Sequence, residues 1–232
     1  MKKTINYLLP SGVLAVAGLT LAACTLDTSA QAGDTYGAAI PAAKMQLASA
    51  GTGLQTVVLA GGCFWGMEEV FQHVAGVTDV VSGYAGGDAA HANYRDSSSG
   101  RYADAEAVKI TYNPAEISYA QLLQVYFSAA HNPTQVDRQG PDVGPQYRSE
   151  VFAANAEQAE VARDYIQQLG TADAYAQPIA TQVSIGKQFF PAEAYHQDYA
   201  QKNPNSYYLR VNDAPKVAAV KTRFPTLYRS DT

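Results

Sequence analysis

The chain has 232 residues and a mildly acidic balance of 16 Lys and Arg against 21 Asp and Glu. That balance argues against a nucleic-acid partner and against electrostatic docking on anionic lipid. With two cysteines in the whole chain, one in the first 24 residues, no internal disulfide framework is expected, and the fold must rest on its core.

Lys2 and Lys3 open a short apolar stretch that ends in Leu21-Ala22-Ala23-Cys24. A basic start, an apolar core and small residues before a boundary describe an export signal. The apolar part is short and interrupted by Pro10, Ser11 and Gly12, so it does not read as a membrane span. Its ending resembles a bacterial lipoprotein signal, in which the cysteine is lipidated and the chain is cut before it. The expectation is a signal over 1–23, lipidation at Cys24 and a membrane contact through that anchor alone. Thr25, where an aspartate would favour the inner membrane, places the protein in the cell envelope at the outer membrane, facing the periplasm. Residues 24–53 are rich in Ala, Gly, Ser and Thr and read as a flexible linker. A single compact domain follows over 54–211, with a C-terminal tail over 212–232.

Thr56–Ala60 is an apolar run ending at Gly61-Gly62 and predicts a buried strand. Phe64, Met67, Val70, Phe71 and Val74 recur at helical spacing. A second strand covers 77–82. From Glu106 to Tyr112 the pattern alternates, placing Glu106, Val108, Ile110 and Tyr112 on one face. Ser118 and Gln121 form a capping box for a helix that His131-Asn132-Pro133 stops. A strand is expected near 148–153. A helix capped by Asn155 and Gln158 should run to Leu169, with Gly170 at its C′ position. Alternation at Ile179, Thr181, Val183 and Ile185 predicts a last strand, and a short helical piece around Tyr195, His196 and Tyr199 follows. Strict βα alternation is lacking. The expected class is α+β, a mixed β-sheet with packed helices and a ferredoxin-like, split-βαβ core.

Cys63 is the one thiol outside the signal, in the stretch Gly61-Gly62-Cys63-Phe64-Trp65-Gly66. A cysteine at such a strand–helix junction is either a small packing residue or a nucleophile. A helix N-terminus lowers a thiol pKa by favouring the anion, so a lowered value is expected. Glu106, on an apolar strand face, should have a raised pKa and act as a proton donor rather than an anion, unless it reaches water at the strand end. His131 and His196 read as helix-end or network residues rather than metal ligands, because no cluster has zinc spacing. No metal or bound cofactor is expected.

Taken in order, Gly62-Cys63-Phe64-Trp65-Gly66, Gly83-Tyr84-Ala85-Gly86-Gly87, Asn93-Tyr94-Arg95, Ala105-Glu106-Ala107, His131-Asn132-Pro133-Thr134-Gln135, Asp142-Val143-Gly144 with Gln146-Tyr147-Arg148, and His196-Gln197 make the chain resemble the type A peptide methionine sulfoxide reductases. The resemblance runs from about Val57 to Tyr207. It implies that Cys63 attacks the sulfoxide sulfur, that Glu106 protonates the oxygen, and that Tyr94 and Tyr147 hydrogen-bond it. Asp142 would hold the polar side of the pocket, and Phe64 and Trp65 would receive the S-methyl group. The implied substrates are methionine S-sulfoxide, free and in proteins and peptides. The chain departs from the family near its C-terminus, where Tyr208 stands about where a recycling cysteine is common. The sulfenic acid must then be resolved by an external thiol reductant, a thioredoxin-like protein or a small thiol. A binding lipoprotein for oxidised peptides, or a redox-signalling thiol with little turnover, remains the alternative. Asp104, which stands where the family often has His, is expected on the side of Glu106, where it would raise that residue's pKa.

Overall fold

The computed structural model describes residue 1, residues 40–48 and residues 53–230. The expected signal and Cys24 lie outside the described residues. The strands are β1 (Gln55–Gly61), β2 (Val77–Ala85), β3 (Ala105–Tyr112), the two-residue strands β4 (Arg138–Gln139) and β5 (Asp142–Val143), β6 (Ser149–Ala153), β7 (Gln182–Ile185) and β8 (Phe189–Pro191). The helices are α1 (Phe64–Gln72), α2 (Tyr94–Ser97), α3 (Tyr119–Val125), α4 (Ala156–Thr171), α5 (Tyr199–Lys202), α6 (Tyr207–Asn212) and α7 (Ala214–Arg223). Among the described residues no helix is long and apolar enough to cross a membrane.

Six strands form one sheet in the order β7-β6-β1-β3-β2-β8. β3 lies antiparallel between β1 and β2, so β1-α1-β2 is a split βαβ unit, and β6 pairs antiparallel with the other side of β1. The central four strands therefore have the ferredoxin-like arrangement, and the parallel β6–β7 pair makes the sheet mixed.

Strand alternation divides the residues between two unequal layers. Val57 and Leu59 of β1, with Val108 and Ile110 of β3, join Met67, Val70 and Phe71 of α1, Leu122 and Leu123 of α3 and Tyr165 of α4 in the main core. On the opposite face a small cluster holds Ala60, Ala85, Ala105, Ala107 and Phe152. The main core also fixes α1 over the end of β1, which sets the position of Cys63.

The caps follow the sequence with some shifts. Ser118 and Gln121 make the reciprocal capping box, and Asn155 accepts from the Gln158 N–H. α3 then widens into a π-helical turn over Tyr126–Ala130, where the apolar stripe alone predicted plain helix. α4 does not stop at Gly170; it continues to Thr171, and the positive φ of 47° falls on Asp173. α1 ends at Gln72, two residues before Val74, because Val74 pairs with Tyr228. β7 is shorter than expected, because Ala180 donates to Pro133 O and the buried Thr181 hydroxyl meets Ser149 Oγ at 2.7 Å.

Two stretches carry more structure than their composition indicates. Residues 40–48, within the stretch read as a linker, lie along α4: Tyr165 Oη donates to Pro41 O at 2.7 Å, Gln168 Nε2 to Ala42 O at 2.8 Å, and the Ala48 N–H to Glu157 Oε1 at 2.6 Å. Ile40 and Ala43 are buried. The C-terminal stretch forms α6 and α7, with Leu209 and Val220 buried.

Candidate active site

The turn between β1 and α1 is built for close approach. Gly62 has φ 94°, and a Cβ there would lie 2.6 Å from Gln139 Cβ. Only glycine adopts that conformation cheaply and leaves that space. The Gln139 side chain in turn accepts from the Asn132 N–H at 3.0 Å and donates to Asn132 O at 2.7 Å. In the β4–β5 hairpin Gln139 pairs with Asp142. One packed side chain thus anchors the hairpin on the turn that carries Cys63. Beyond the hairpin, a 3-10 turn over Pro145–Tyr147 brings in Tyr147.

Cys63 occupies the N-cap position of α1 and is buried, 8% exposed. Its sulfur receives a hydrogen bond from the Trp65 N–H, which favours the thiolate. Burial, followed by the charges of Glu106, Asp213 and Asp142, outweighs that bond and pushes the thiol well above its usual value. The lowered pKa expected from the helix terminus is therefore corrected. Desolvation and an acidic surround are tertiary effects that a local motif does not carry.

Glu106 sits on the helix-covered face of β3, 2% exposed. The Phe64 N–H donates to its Oε2 at 3.0 Å, and its carboxyl is hydrogen-bonded to Cys63. Burial first, then the charge of Asp142, raises its pKa to about 8, against the lowering effect of those two bonds. The raised carboxyl pKa expected from the strand face is thus found. Asp104 has no part in this. It is buried beside Gly87, whose Cβ would lie 2.3 Å from its Oδ1, and it feels Asp88, His91 and Arg148. β3 begins at Ala105, so Asp104 lies before the strand and outside the alternation that would place it with Glu106.

Tyr94 and Tyr147 come to the same place from separate elements. Asn93 caps α2, and the Tyr94 N–H donates to Glu193 Oε1 at 3.0 Å. Burial raises both phenol pKa values, and the charges of Glu106, Cys63 and Asp142 raise them further. Both hydroxyls therefore stay protonated and serve as donors at neutral pH. Asp142 accepts a short hydrogen bond from the Tyr208 hydroxyl. Its pKa is raised by burial, partly offset by that bond and by Lys216.

The apolar wall is aromatic. Phe64 is buried, and Trp65 is half-buried and stacks on Tyr199 at 3.8 Å between centroids and 9° between planes. Trp65 Nε1 donates to His196 Nδ1 at 3.1 Å. His196 also meets the rings of Phe64 and Tyr94 at 4.9 and 4.7 Å. Burial lowers its pKa, so the ring is neutral with its proton on Nε2. His131 lies in a different network, with Nδ1 against Tyr126 O at 3.0 Å and Nε2 against Ser149 Oγ at 2.7 Å. Burial drives its pKa to about 3. Both histidines are network residues, and among the described residues no group of three His, Cys, Asp or Glu is placed to hold a metal.

The seven residues that the resemblance assigns to the pocket lie together here: Cys63, Glu106, Tyr94, Tyr147 and Asp142 on the polar side, Phe64 and Trp65 on the apolar side. The sequence reading gave no supporting role in the site to Glu193, Tyr199, Tyr208, Asp213 and Lys216. Asp213 is buried, pairs with Lys216 Nζ at 2.9 Å, and leaves no room for a Cβ on Gly66, which would lie 2.0 Å from its Oδ1. A proline just inside α7 marks that helix start. Nothing local signals where its charges point.

A constellation of thiol, buried carboxylic acid, two phenols and an aromatic wall suits reduction of a small oxide with a polar oxygen on one side and an apolar methyl group on the other. Comparison with known proteins agrees. The family described as peptide methionine sulfoxide reductase matches residues 55–227. Peptide methionine sulfoxide reductase MsrA 2 of Mesorhizobium japonicum is 54% identical over 179 residues, covering 77% of this chain and 92% of its own. The protein of the same name from Synechocystis is 49% identical over 172 residues, covering 74% and 80%. Among solved structures, methionine sulfoxide reductase A of Corynebacterium diphtheriae superposes with a TM-score of 0.57 at 31% identity, covering 75% of this chain and 90% of its own. Reduced Mxr1 of Saccharomyces cerevisiae gives 0.59 at 31% identity, covering 68% and 91%. The chain belongs to the peptide methionine sulfoxide reductase family.

Proposed function

We propose that the chain reduces methionine S-sulfoxide, free and in polypeptides, with Cys63 as the nucleophile and an outside thiol as the final reductant. The observation that carries the reading is the hydrogen-bonded pair of Cys63 and Glu106, buried at the start of α1. With the thiol pKa well up and the carboxyl at about 8, both groups of the pair are protonated at neutral pH, and they titrate as a coupled unit. Sulfoxide sulfur is a poor electrophile until its oxygen is protonated or firmly hydrogen-bonded. Tyr94 and Tyr147 donate to the oxygen, Glu106 delivers the proton, and the thiol proton replaces it on the carboxylate. General acid assistance of this kind is worth about 10²–10⁴-fold. The Cys63 sulfur bonds to the activated sulfoxide sulfur, and the hydroxyl then passes to the Cys63 sulfur: the substrate S–O bond and the transient S–S bond break as the Cys63 S–O bond forms. Cys63 is oxidised by two electrons to the sulfenic acid and the substrate sulfur is reduced by two to the thioether. The aromatic wall of Phe64 and Trp65 receives the S-methyl group.

Regeneration needs two outside thiol equivalents, which leave as a disulfide with one water. The only other cysteine in the sequence is Cys24, which we assign to the lipid anchor. A thioredoxin-like protein or a small thiol fills the role, and the anchor places the enzyme in the cell envelope at the outer membrane.

The test is a burst assay. Without reductant the enzyme should release one methionine per Cys63; with dithiothreitol it should turn over. No burst, or an unchanged burst in Cys63→Ser, would sink the reading. Tight sulfoxide binding without product at any thiol concentration would favour the oxidised-peptide binder instead. Mass spectrometry of the membrane fraction should find an acylated N-terminal Cys24; a mature chain starting elsewhere refutes the anchor.

A further inference from the structure

Tyr207 and Tyr208 are adjacent and point differently. Tyr207 is 80% exposed, whereas Tyr208 is half-buried against the site. The helix that carries them is held from Tyr208 onward. Leu209 is buried in the fold, the Asn212 side chain donates to Tyr208 O at 2.9 Å, and the Asp213 N–H donates to Leu209 O at 2.8 Å.

The Tyr208 side chain makes two contacts of different chemistry. Its hydroxyl donates to Asp142 Oδ2. Its ring meets Trp65 edge-on, 6.2 Å between centroids at 84°. The bond has a fixed sense. Burial, the charge of Cys63 and the acceptor Asp142 all raise the phenol's pKa, so the proton stays on Tyr208 and the charge on Asp142. Asp142 otherwise sits on a two-residue strand beside Val143, which is 68% exposed. A hairpin that short has little stability of its own. Its carboxylate is held in place from α6, far along the chain.

We propose that Tyr208 is a positioning residue of the sulfoxide pocket, its hydroxyl fixing Asp142 on the polar side while its ring braces Trp65 on the apolar side. The role rests on the reductase reading above. It is mechanical, not redox: the phenol forms no bond with substrate sulfur. It acts through Asp142 and Trp65 to hold the two walls at the spacing a methyl sulfoxide requires, so its loss weakens binding more than chemistry.

The test uses the full chain and two readouts. In turnover with methionine sulfoxide and dithiothreitol, Tyr208→Phe should raise KM about 10-fold and change kcat by less than about 3-fold, the signature of lost binding common to ground and transition states. Burst amplitude counts the folded sites, so partial unfolding is not mistaken for weak binding. In a Cys63→Ser background, methionine sulfoxide binding read by fluorescence of Trp65, the single tryptophan, should weaken by a similar factor when Tyr208→Phe is added. The double variant Asp142→Asn with Tyr208→Phe should be no weaker than Asp142→Asn alone, because the hydroxyl acts through that carboxylate. A KM and an affinity within about 2-fold of the parent, or penalties that multiply in the double variant, would overturn the proposal. Loss of the burst in the unmutated chain with intact sulfoxide binding would refute the reductase reading instead, and the binding comparison would still decide the role of Tyr208.

Discussion

The Phe64 N–H donates to Glu106 Oε2 at 3.0 Å, so the residue after the nucleophile is tied by its backbone to the acid. The first turn of α1 and the start of β3 are thereby joined through the buried Glu106 side chain, and the same bond fixes its carboxylate against Cys63.

Glu106→Gln keeps an acceptor for that N–H and removes the proton donor and its charge. Turnover should fall about 10²–10⁴-fold. Because the Glu106 charge raises the pKa of Cys63, the variant thiol should ionise at lower pH. Alkylation of Cys63 by iodoacetamide across pH measures this; an unshifted profile would show that the two groups are not coupled.

The alkaline limb of kcat/KM should report the first proton lost by the Cys63–Glu106 pair, with activity falling as pH rises through about 8. The charge of Asp142 is among the causes that raise the Glu106 pKa. Neutralising it in Asp142→Asn should move the limb to lower pH. A limb that moves up, or stays, contradicts the assignment.

Stability should fall with rising pH in the same region. Glu106 and Glu68 have folded-state pKa values raised to about 8 and about 7, chiefly by burial. In the unfolded chain both titrate near ~4.3. Above that value the native state binds more protons than the unfolded state, so the stability present below it is lost as pH rises through the folded values. Thermal unfolding should show Tm dropping between pH 5 and pH 9. Glu106→Gln should flatten the slope and gain stability relative to the parent at pH 9. An unchanged slope would mean that the carboxyl titrates normally.

Gly66→Ala should be among the costliest single-methyl changes in the chain. The added Cβ would lie 2.0 Å from Asp213 Oδ1, and Asp213 is fully buried and paired with Lys216. Relieving the overlap moves α1 away from the start of α7, at a cost of about 1–3 kcal/mol or more. Urea unfolding measures it, and a change below about 0.5 kcal/mol would contradict the packing described.

Much of the fold is legible because its signals are local. Alternation from Glu106 to Tyr112 gives β3 and its buried face; Ser118 with Gln121 gives the start of α3; the glycine pair before Cys63 gives the turn. What was not legible depends on distant contacts. The thiol pKa follows first from burial and then from carboxylates brought by β3, the start of α7 and the hairpin, none adjacent to Cys63 in sequence. The π turn at Tyr126 forms where the Tyr126 hydroxyl reaches Ala60 O at 2.7 Å, a contact that an apolar stripe cannot announce. The C-terminal stretch read as a tail has the short, polar-interrupted composition of one, and becomes α7 because Val220 finds the core.

The docking of residues 40–48 on α4 sets a distance. If Cys24 carries the lipid, as proposed, the tether runs to Ile40 rather than to Gly53. Sixteen residues span at most about 55 Å when fully extended, whereas the longer count would allow about 100 Å. The enzyme would then patrol a shell next to its membrane, repairing proteins held at that surface and leaving those free deeper in the compartment to diffuse to it.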